Sequence, residues 1–159
     1  MRIAVIGAGS WGTTLAALAA RTNPVVLWAR RPELAEAINA GGVNPEYVSG
    51  LRLPYGLRAT SDAVEAVEGA DAVVMAVPSH GFRQVLGETA DAIADTVPIL
   101  SLTKGIEEGS LRRMTEVIAE TLPTRDPANS GVLTGPNLAQ EIAGGHPAAA
   151  VIGMADTMT

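Results

Sequence analysis

Three glycines near the start of the chain have a spacing that suits the binding of a phosphate. The apolar run Arg2–Ile6 leads directly into Gly7, Gly9 and Gly12, and an alanine-rich stretch follows. Gly7 permits a tight turn out of a strand, Gly9 lets the backbone approach a pyrophosphate, and Gly12 lets a helix pack closely on the strand. Free N–H groups at the start of that helix would bind the pyrophosphate. The pattern predicts a dinucleotide-binding turn, against the alternative of an incidental glycine turn.

Two arginines follow the predicted second strand, Val25–Trp28. In dinucleotide-binding folds an Asp or Glu at this point binds the ribose 2′-hydroxyl of NAD and disfavours the 2′-phosphate of NADP. Here Arg30 and Arg31 take its place, and guanidinium groups match phosphate in both charge and donor geometry. We therefore expect NADP(H) to be favoured. NAD(H) is the alternative, in which both arginines are solvated and Glu33 binds the ribose.

Lys104 is the only lysine among the 11 basic residues of the chain. It follows the predicted strand Ile99–Leu102, and ligands of open parallel sheets lie beyond the carboxyl ends of the strands. A lysine at this point could hold a phosphate or carboxylate, or polarise a carbonyl group. The alternative is a chance surface lysine.

Two further strand ends point to the same crevice. Thr134, Gly135, Pro136 and Asn137 predict a second helix N-terminus, with Pro136 at the first helical position and free N–H groups for an anion. An ordinary capped turn is the alternative. Pro78 follows another strand and is a candidate for contact with the cofactor. Together with Lys104, these strand ends indicate a small phosphorylated or carboxylated substrate.

The elements that must position these residues alternate between strand and helix, which predicts βαβ units. We expect an α/β fold with a Rossmann-type, doubly wound, mostly parallel sheet and helices on both faces. Strands are predicted at Arg2–Ile6, Val25–Trp28, Leu57–Thr60, Ala72–Val77, Ile99–Leu102, Gly131–Leu133 and Ala149–Ile152. Helices are predicted at Trp11–Arg21, Pro32–Ala40, Asp62–Val67, His80–Asp95, Ser110–Leu122 and Asn137–Ala143, with Ser61 and Ser110 as caps.

Composition limits the class of protein. The chain of 159 residues is 47% hydrophobic but only 3% aromatic, which suits an aliphatic core around a parallel sheet. Without cysteine it has neither disulfides nor thiolate metal sites, and two histidines are too few for a metal cluster. A net charge of −6 argues against nucleic acid as a partner. No membrane span or signal peptide is evident, so we expect a cytoplasmic protein.

Five segments, taken together, resemble the NAD(P)-dependent glycerol-3-phosphate dehydrogenases. They are Gly7–Thr13, Leu57–Asp62, Ala76–His80, Ser101–Glu107 and Gly135–Glu141. The resemblance implies reduction of dihydroxyacetone phosphate to sn-glycerol 3-phosphate by NAD(P)H, in the service of phospholipid synthesis. It also implies nucleotide contacts from Ser10, Trp11, Arg30, Arg31 and Ala139, a place for Lys104 between cofactor and substrate, and substrate contacts from Gly135 and Asn137.

Members of the resembled family continue into an all-helical second domain that supplies a proton-transfer lysine. Since Lys104 is the only lysine here, the resemblance implies that residues 1–159 form the NAD(P)-binding domain and that the helical substrate domain is absent. We expect such a chain to bind nucleotide and to turn over substrate poorly. A homodimer is an open alternative to a monomer. The competing functions are a reductase of another small anionic carbonyl compound, related to ketopantoate reductases, and a free-standing nucleotide-binding or sensor module.

Overall fold

Residues 1–154 are described by a computed structural model, in which seven strands form one sheet. The order across the sheet is β3-β2-β1-β4-β5-β6-β7, and all neighbours are parallel except β6 and β7, which are antiparallel. The strands are Ile3–Ile6 (β1), Val25–Trp28 (β2), Leu57–Thr60 (β3), Ala72–Met75 (β4), Ile99–Ser101 (β5), Ser130–Thr134 (β6) and Val151–Met154 (β7).

Successive residues of a strand point to opposite faces of the sheet. Since the strand residues on both faces are apolar and buried, helices cover both faces. On one face Ala4 and Ile6 join a cluster with Phe82 and Val117, and on the other Ile3 and Val5 pack with residues such as Leu34. The helices are Ser10–Ala19 (α1), Pro32–Gly41 (α2), Ala63–Val67 (α3), Ser79–Thr89 (α4), Met114–Thr121 (α5) and Ala139–Ala143 (α6), with 3₁₀ turns at Ala90–Ala92 and Pro127–Asn129. The predicted doubly wound α/β fold is confirmed.

The chain reverses direction across the sheet at β1. It runs outward through β2 and β3, then crosses back so that β4 pairs with the other side of β1. A crevice opens at the carboxyl ends of the strands at such a switch point, and ligands bind there in folds of this type. The glycine turn after β1 and the segment after β4 both lie at this crevice. Within residues 1–154 no helix has the length and apolar character needed to cross a membrane.

The predicted helix Ser110–Leu122 begins later than expected, and Ser110 does not cap it. Helix α5 starts at Met114, and the Glu116 carboxylate accepts from the backbone N–H of the N-cap residue Arg113 at 2.8 Å. The preceding residues are a loop because Gly105, Gly109 and Leu111 adopt positive φ angles of 95°, 87° and 57°, which an α-helix excludes.

The predicted helix Asn137–Ala143 also begins two residues late, at Ala139, with Leu138 as its N-cap. The Asn137 N–H donates to the carbonyl oxygen of Gly135 at 2.8 Å, which closes a tight turn instead of opening a helix. Pro136 is therefore not at a first helical position. The predicted second helix N-terminus at Thr134–Asn137 is wrong.

Three smaller corrections concern a helix cap, a helix end and the last strand. Asp62, not Ser61, caps α3, because its Oδ1 accepts from the N–H groups of Val64 and Glu65 at 2.9 and 3.1 Å. The predicted helix His80–Asp95 ends near residue 92, because the buried Arg125 guanidinium donates to carbonyl oxygens of residues 94, 95 and 97 and holds that segment out of the helix. The last strand pairs antiparallel, and it begins and ends two residues later than predicted.

Candidate nucleotide-binding site

A cleft of about 990 Å³ lies at the carboxyl ends of β1, β2, β4 and β5. This volume is in the range of small-molecule and cofactor sites. Eleven of the twelve predicted site residues line it: Gly7, Gly9, Ser10, Trp11, Gly12, Arg30, Arg31, Pro78, Lys104, Asn137 and Ala139. Gly135 is not among the lining residues and packs against the backbone at Ala149.

The three glycines of the turn have different physical reasons to be glycine. A Cβ on Gly7 would lie 2.6 Å from the carbonyl oxygen of Ala76, and a Cβ on Gly12 would lie 1.9 Å from the carbonyl oxygen of Gly7. A Cβ on Gly9 would meet no protein atom within 4 Å, because Gly9 faces the open cleft. The fold therefore requires Gly7 and Gly12, whereas only an approaching ligand would require Gly9.

The start of α1 is suited to an anion. Gly9 is its N-cap residue, and no side chain caps the helix. The first N–H groups of an α-helix have no partner within the helix and carry the positive end of its dipole. Those of Ser10, Trp11 and Gly12 belong to residues that line the cleft. The glycine turn thus offers an open cradle that fits the pyrophosphate of a dinucleotide.

Asn44 holds a second wall of the cleft in place, and sequence reasoning missed it. This fully buried side chain donates to the carbonyl oxygen of Ala8 at 2.9 Å and to Oγ1 of Thr13 at 2.8 Å. Its Oδ1 accepts from the backbone N–H groups of Glu46 and Tyr47. Asn44 therefore ties the loop 42–56 to the glycine turn and brings Tyr47 to the cleft.

The electrostatics at the end of β2 are mainly positive. Arg30 and Arg31 are both exposed and line the cleft, and Arg31 forms an ion pair with Glu46 of the loop 42–56. Glu33, the acid of the NAD(H) alternative, lies in the first turn of α2 and is not among the lining residues. Glu88 is the only carboxylate among the described residues that line the cleft.

Lys104 lies on the cleft wall opposite these arginines, after β5. The preceding residue fixes the backbone there, since Thr103 Oγ1 donates to the carbonyl oxygen of Val77 at 2.6 Å. Lys104 is exposed and makes no ion pair within the part of the chain that the structure describes. His80 and Gln84 of α4 also line the cleft. Lys104 therefore keeps its charge available for an anionic ligand.

Comparisons with known proteins show the family to which the chain belongs. The sequence model of the family described as NAD-dependent glycerol-3-phosphate dehydrogenase N-terminus matches residues 2–159. A glycerol-3-phosphate dehydrogenase [NAD(P)+] 2 of Sphingopyxis alaskensis is 53% identical over 98% of this chain and 46% of its own length. A glycerol-3-phosphate dehydrogenase [NAD(P)+] of Corynebacterium glutamicum is 50% identical over 97% of this chain and 46% of its own length.

Solved structures show the same relationship. The crystal structure of glycerol-3-phosphate dehydrogenase from Coxiella burnetii superposes with a TM-score of 0.90 at 34% identity, over 98% of this chain and 47% of that one. A ketopantoate reductase from Ralstonia eutropha gives a TM-score of 0.63 at 27% identity, over 85% of this chain and 41% of its own. The chain spans about half the length of the curated relatives it matches. On this match it belongs to the family of the N-terminal, nucleotide-binding part of NAD-dependent glycerol-3-phosphate dehydrogenases.

Proposed function

We propose that this chain binds NADPH in the cleft and is the nucleotide-binding part of an enzyme that reduces dihydroxyacetone phosphate to sn-glycerol 3-phosphate. The observation that carries the proposal is the convergence of an open glycine turn, two arginines and the only lysine on one cleft of about 990 Å³. Family membership and the names of the relatives support the reaction. They do not favour a sensor module or a reductase of another carbonyl compound.

The cofactor would be held by charge and by backbone donors. The N–H groups at the start of α1 would bind the pyrophosphate, with Gly9 allowing its close approach. Arg30 and Arg31 would bind the 2′-phosphate, because their guanidinium groups present several donors to its oxygens. Among the described residues that line the cleft, no carboxylate lies at the end of β2; Glu46, which pairs with Arg31, is not a lining residue. NADPH is therefore the cofactor that this arrangement favours over NADH.

Lys104 would lie between the cofactor and the substrate and would contact both. The nicotinamide, when bound, supplies the hydride for reduction of a carbonyl group. The ammonium of Lys104 would attract the anionic substrate and stabilise negative charge that develops on the carbonyl oxygen. Asn137 would contribute a neutral hydrogen-bonding group, and we propose that Gly135 assists through its backbone. The proton donor would come from the part of the longer relatives that this chain does not match.

The cofactor proposal is tested by calorimetric titration of the chain with NADPH and with NADH at equal ionic strength. Hydrogen bonds to charged groups contribute about 1.5–3 kcal/mol, so Arg30→Ala and Arg31→Ala should each weaken NADPH binding by roughly 10- to 100-fold. Binding of NADH should change by less than about threefold, since it lacks the 2′-phosphate.

Glu33→Gln is the matched control, because it alters the acid on which the NAD(H) alternative depends. Our proposal expects this variant to bind both nucleotides as the unmodified chain does. Weaker NADH binding by Glu33→Gln, with NADPH binding unaffected by the arginine variants, would contradict the proposal and support the alternative.

A further inference from the structure

Glu107 is the last residue of the segment Ser101–Glu107, and ligand binding in the cleft does not account for it. It is not among the cleft-lining residues, although Lys104, three residues earlier, is one of them. Glu107 lies in a segment of irregular backbone, which carries no stabilisation from a helix or a sheet. The contacts of this carboxylate show what it does.

The residues after Lys104 form a closed loop that is hydrogen-bonded within itself. Ile106 and Arg113 form an antiparallel bridge at its base. The Glu107 N–H donates to the carbonyl oxygen of Arg112 at 2.8 Å, and the Leu111 N–H donates to that of Glu107 at 3.0 Å. We call residues 104–113 the Lys104 loop. A contact made by Glu107 therefore bears on a residue that is hydrogen-bonded to two others of this loop, Leu111 and Arg112.

Arg83 of α4 makes that contact. Its Nε donates to Oε1 of Glu107 at 2.8 Å and its Nη2 to Oε2 at 2.7 Å, which is the bidentate geometry that fits a carboxylate to a guanidinium. The Glu107 side chain is 15% exposed and that of Arg83 is 38% exposed, so the carboxylate is the better shielded partner of this pair. Arg83 Nη2 also lies 2.8 Å from Oε2 of Glu120 on α5.

Glu107 carries its negative charge in this pair. The hydrogen bonds that its carboxylate accepts from Arg83 and Ser110 lower the pKa of Glu107 to about 2. The carboxylate consequently stays ionised at any pH near neutrality.

Both sides of Lys104 are therefore attached to the segment that runs from β4 into α4. Before it, Thr103 Oγ1 donates to the carbonyl oxygen of Val77, and after it, Glu107 receives Arg83. Lys104 itself makes no ion pair in the described residues, and a lysine side chain has four flexible methylene groups. Its position in the cleft therefore depends on how firmly its backbone is held.

We propose that Arg83 is a positioning residue, which acts through Glu107 to hold the Lys104 loop against α4 and to place Lys104 in the cleft. This inference rests on the proposed function only in taking Lys104 as a ligand-binding residue. The alternative is that the pair merely joins α4 to the neighbouring loop and contributes to stability alone.

The single lysine makes a direct test available. Labelling with ¹⁵N-lysine gives one backbone amide signal, that of Lys104, whose relaxation yields an order parameter. We expect a value near about 0.85 in the unmodified chain, as in rigid backbone, and below about 0.6 in Arg83→Gln and in Glu107→Gln. NADPH affinity should fall about three- to tenfold in both variants, and the double variant should be no worse than either single one.

Arg113→Gln is the matched control. Arg113 lies at the base of the same loop, but its partner Glu116 is three residues away and not on α4. The control should leave the order parameter and the NADPH affinity unchanged. Thermal unfolding of each variant separates a local release of Lys104 from general destabilisation.

The proposal is overturned if Arg83→Gln and Glu107→Gln lower the melting temperature but leave the Lys104 amide as rigid as before. A failure of the proposed function is a separate result, since NADPH would then not bind even to the unmodified chain. The order parameter of the ligand-free protein tests the positioning role in that case also.

Discussion

Gly9 and Gly12 of the glycine turn should respond differently to an added methyl group. In Gly12→Ala the new Cβ would lie 1.9 Å from a carbonyl oxygen, against at least 3.4 Å for an ordinary contact. The atom it meets belongs to the backbone of Gly7, so α1 or the turn must shift. In Gly9→Ala the new Cβ would meet nothing within 4 Å, and the backbone angles φ −72° and ψ 179° suit alanine.

The magnitudes follow from these distances. Overpacking typically costs about 1–3 kcal/mol, and we expect the upper end for Gly12→Ala because backbone atoms cannot yield as a side chain does. The gain from replacing glycine within a helix, about 0.5–1 kcal/mol, reduces this to a loss of roughly 2–2.5 kcal/mol. For a chain of this size that loss lowers Tm by about 5–10 °C. For Gly9→Ala, a small loss at the N-cap and a gain in backbone entropy nearly cancel, so Tm should change by less than about 3 °C.

Nucleotide binding should be weakened in Gly9→Ala, the variant whose Tm hardly changes. The methyl group of Gly9→Ala would occupy the space in which we propose that the pyrophosphate approaches the N–H groups of α1, so NADPH affinity should fall at least tenfold, or about 1.4 kcal/mol. Calorimetric titration together with thermal unfolding measures both quantities. The reasoning is refuted if Gly9→Ala binds NADPH normally, or if it unfolds as readily as Gly12→Ala.

Four other predictions follow from contacts around the cleft. Glu46→Gln removes the ion-pair partner of Arg31, so titration should show NADPH bound about two- to fivefold more tightly and NADH unchanged; equal changes for both would contradict this. Asn44→Ala leaves buried groups at Ala8 and Thr13 without a partner, and denaturant unfolding should show a loss of about 2–3 kcal/mol; a loss below 0.5 would exclude the anchoring role. Glu107, whose folded pKa is about 2 and whose ordinary value is 4.5, stabilises the fold above pH 4.5 and loses that effect as the pH falls towards 2. The Tm difference between the unmodified chain and Glu107→Gln should therefore shrink below pH 4, and a constant difference would argue against the pair. The chain alone should oxidise NADPH only slowly with dihydroxyacetone phosphate. Rates near those of longer relatives would contradict the proposal that the proton donor lies in the part that this chain does not match.

The fold could be predicted from the sequence because its signals are local. Strands such as Val25–Trp28 are short, apolar and β-branched, and each is followed by a helical segment, which leaves few topologies open. The glycine turn could be placed for the same reason, since Gly7, Gly9 and Gly12 act on their own neighbourhood. The start of α2 also follows from Pro32 in its first turn.

The errors arose where distant residues or backbone angles decide the structure. Arg125 ends the helical segment after α4 from about 30 residues away, and Asn44 reaches a carbonyl 36 residues earlier. The local sequence pattern predicts neither contact. The positive φ angle of Leu111 could not be expected from a leucine, and for this reason the predicted helix start at Ser110 is too early. Tyr47 was missed because its loop has no periodic pattern.

We propose that the cleft binds NADPH with the pyrophosphate at the glycine turn and the 2′-phosphate at the arginines. A crystal structure of the chain grown with NADPH tests it most directly. We predict pyrophosphate oxygens within hydrogen-bond distance of the N–H groups at the start of α1, and 2′-phosphate oxygens on Arg30 or Arg31. A nucleotide bound with its 2′-phosphate in solvent, or bound outside this cleft, would contradict the account.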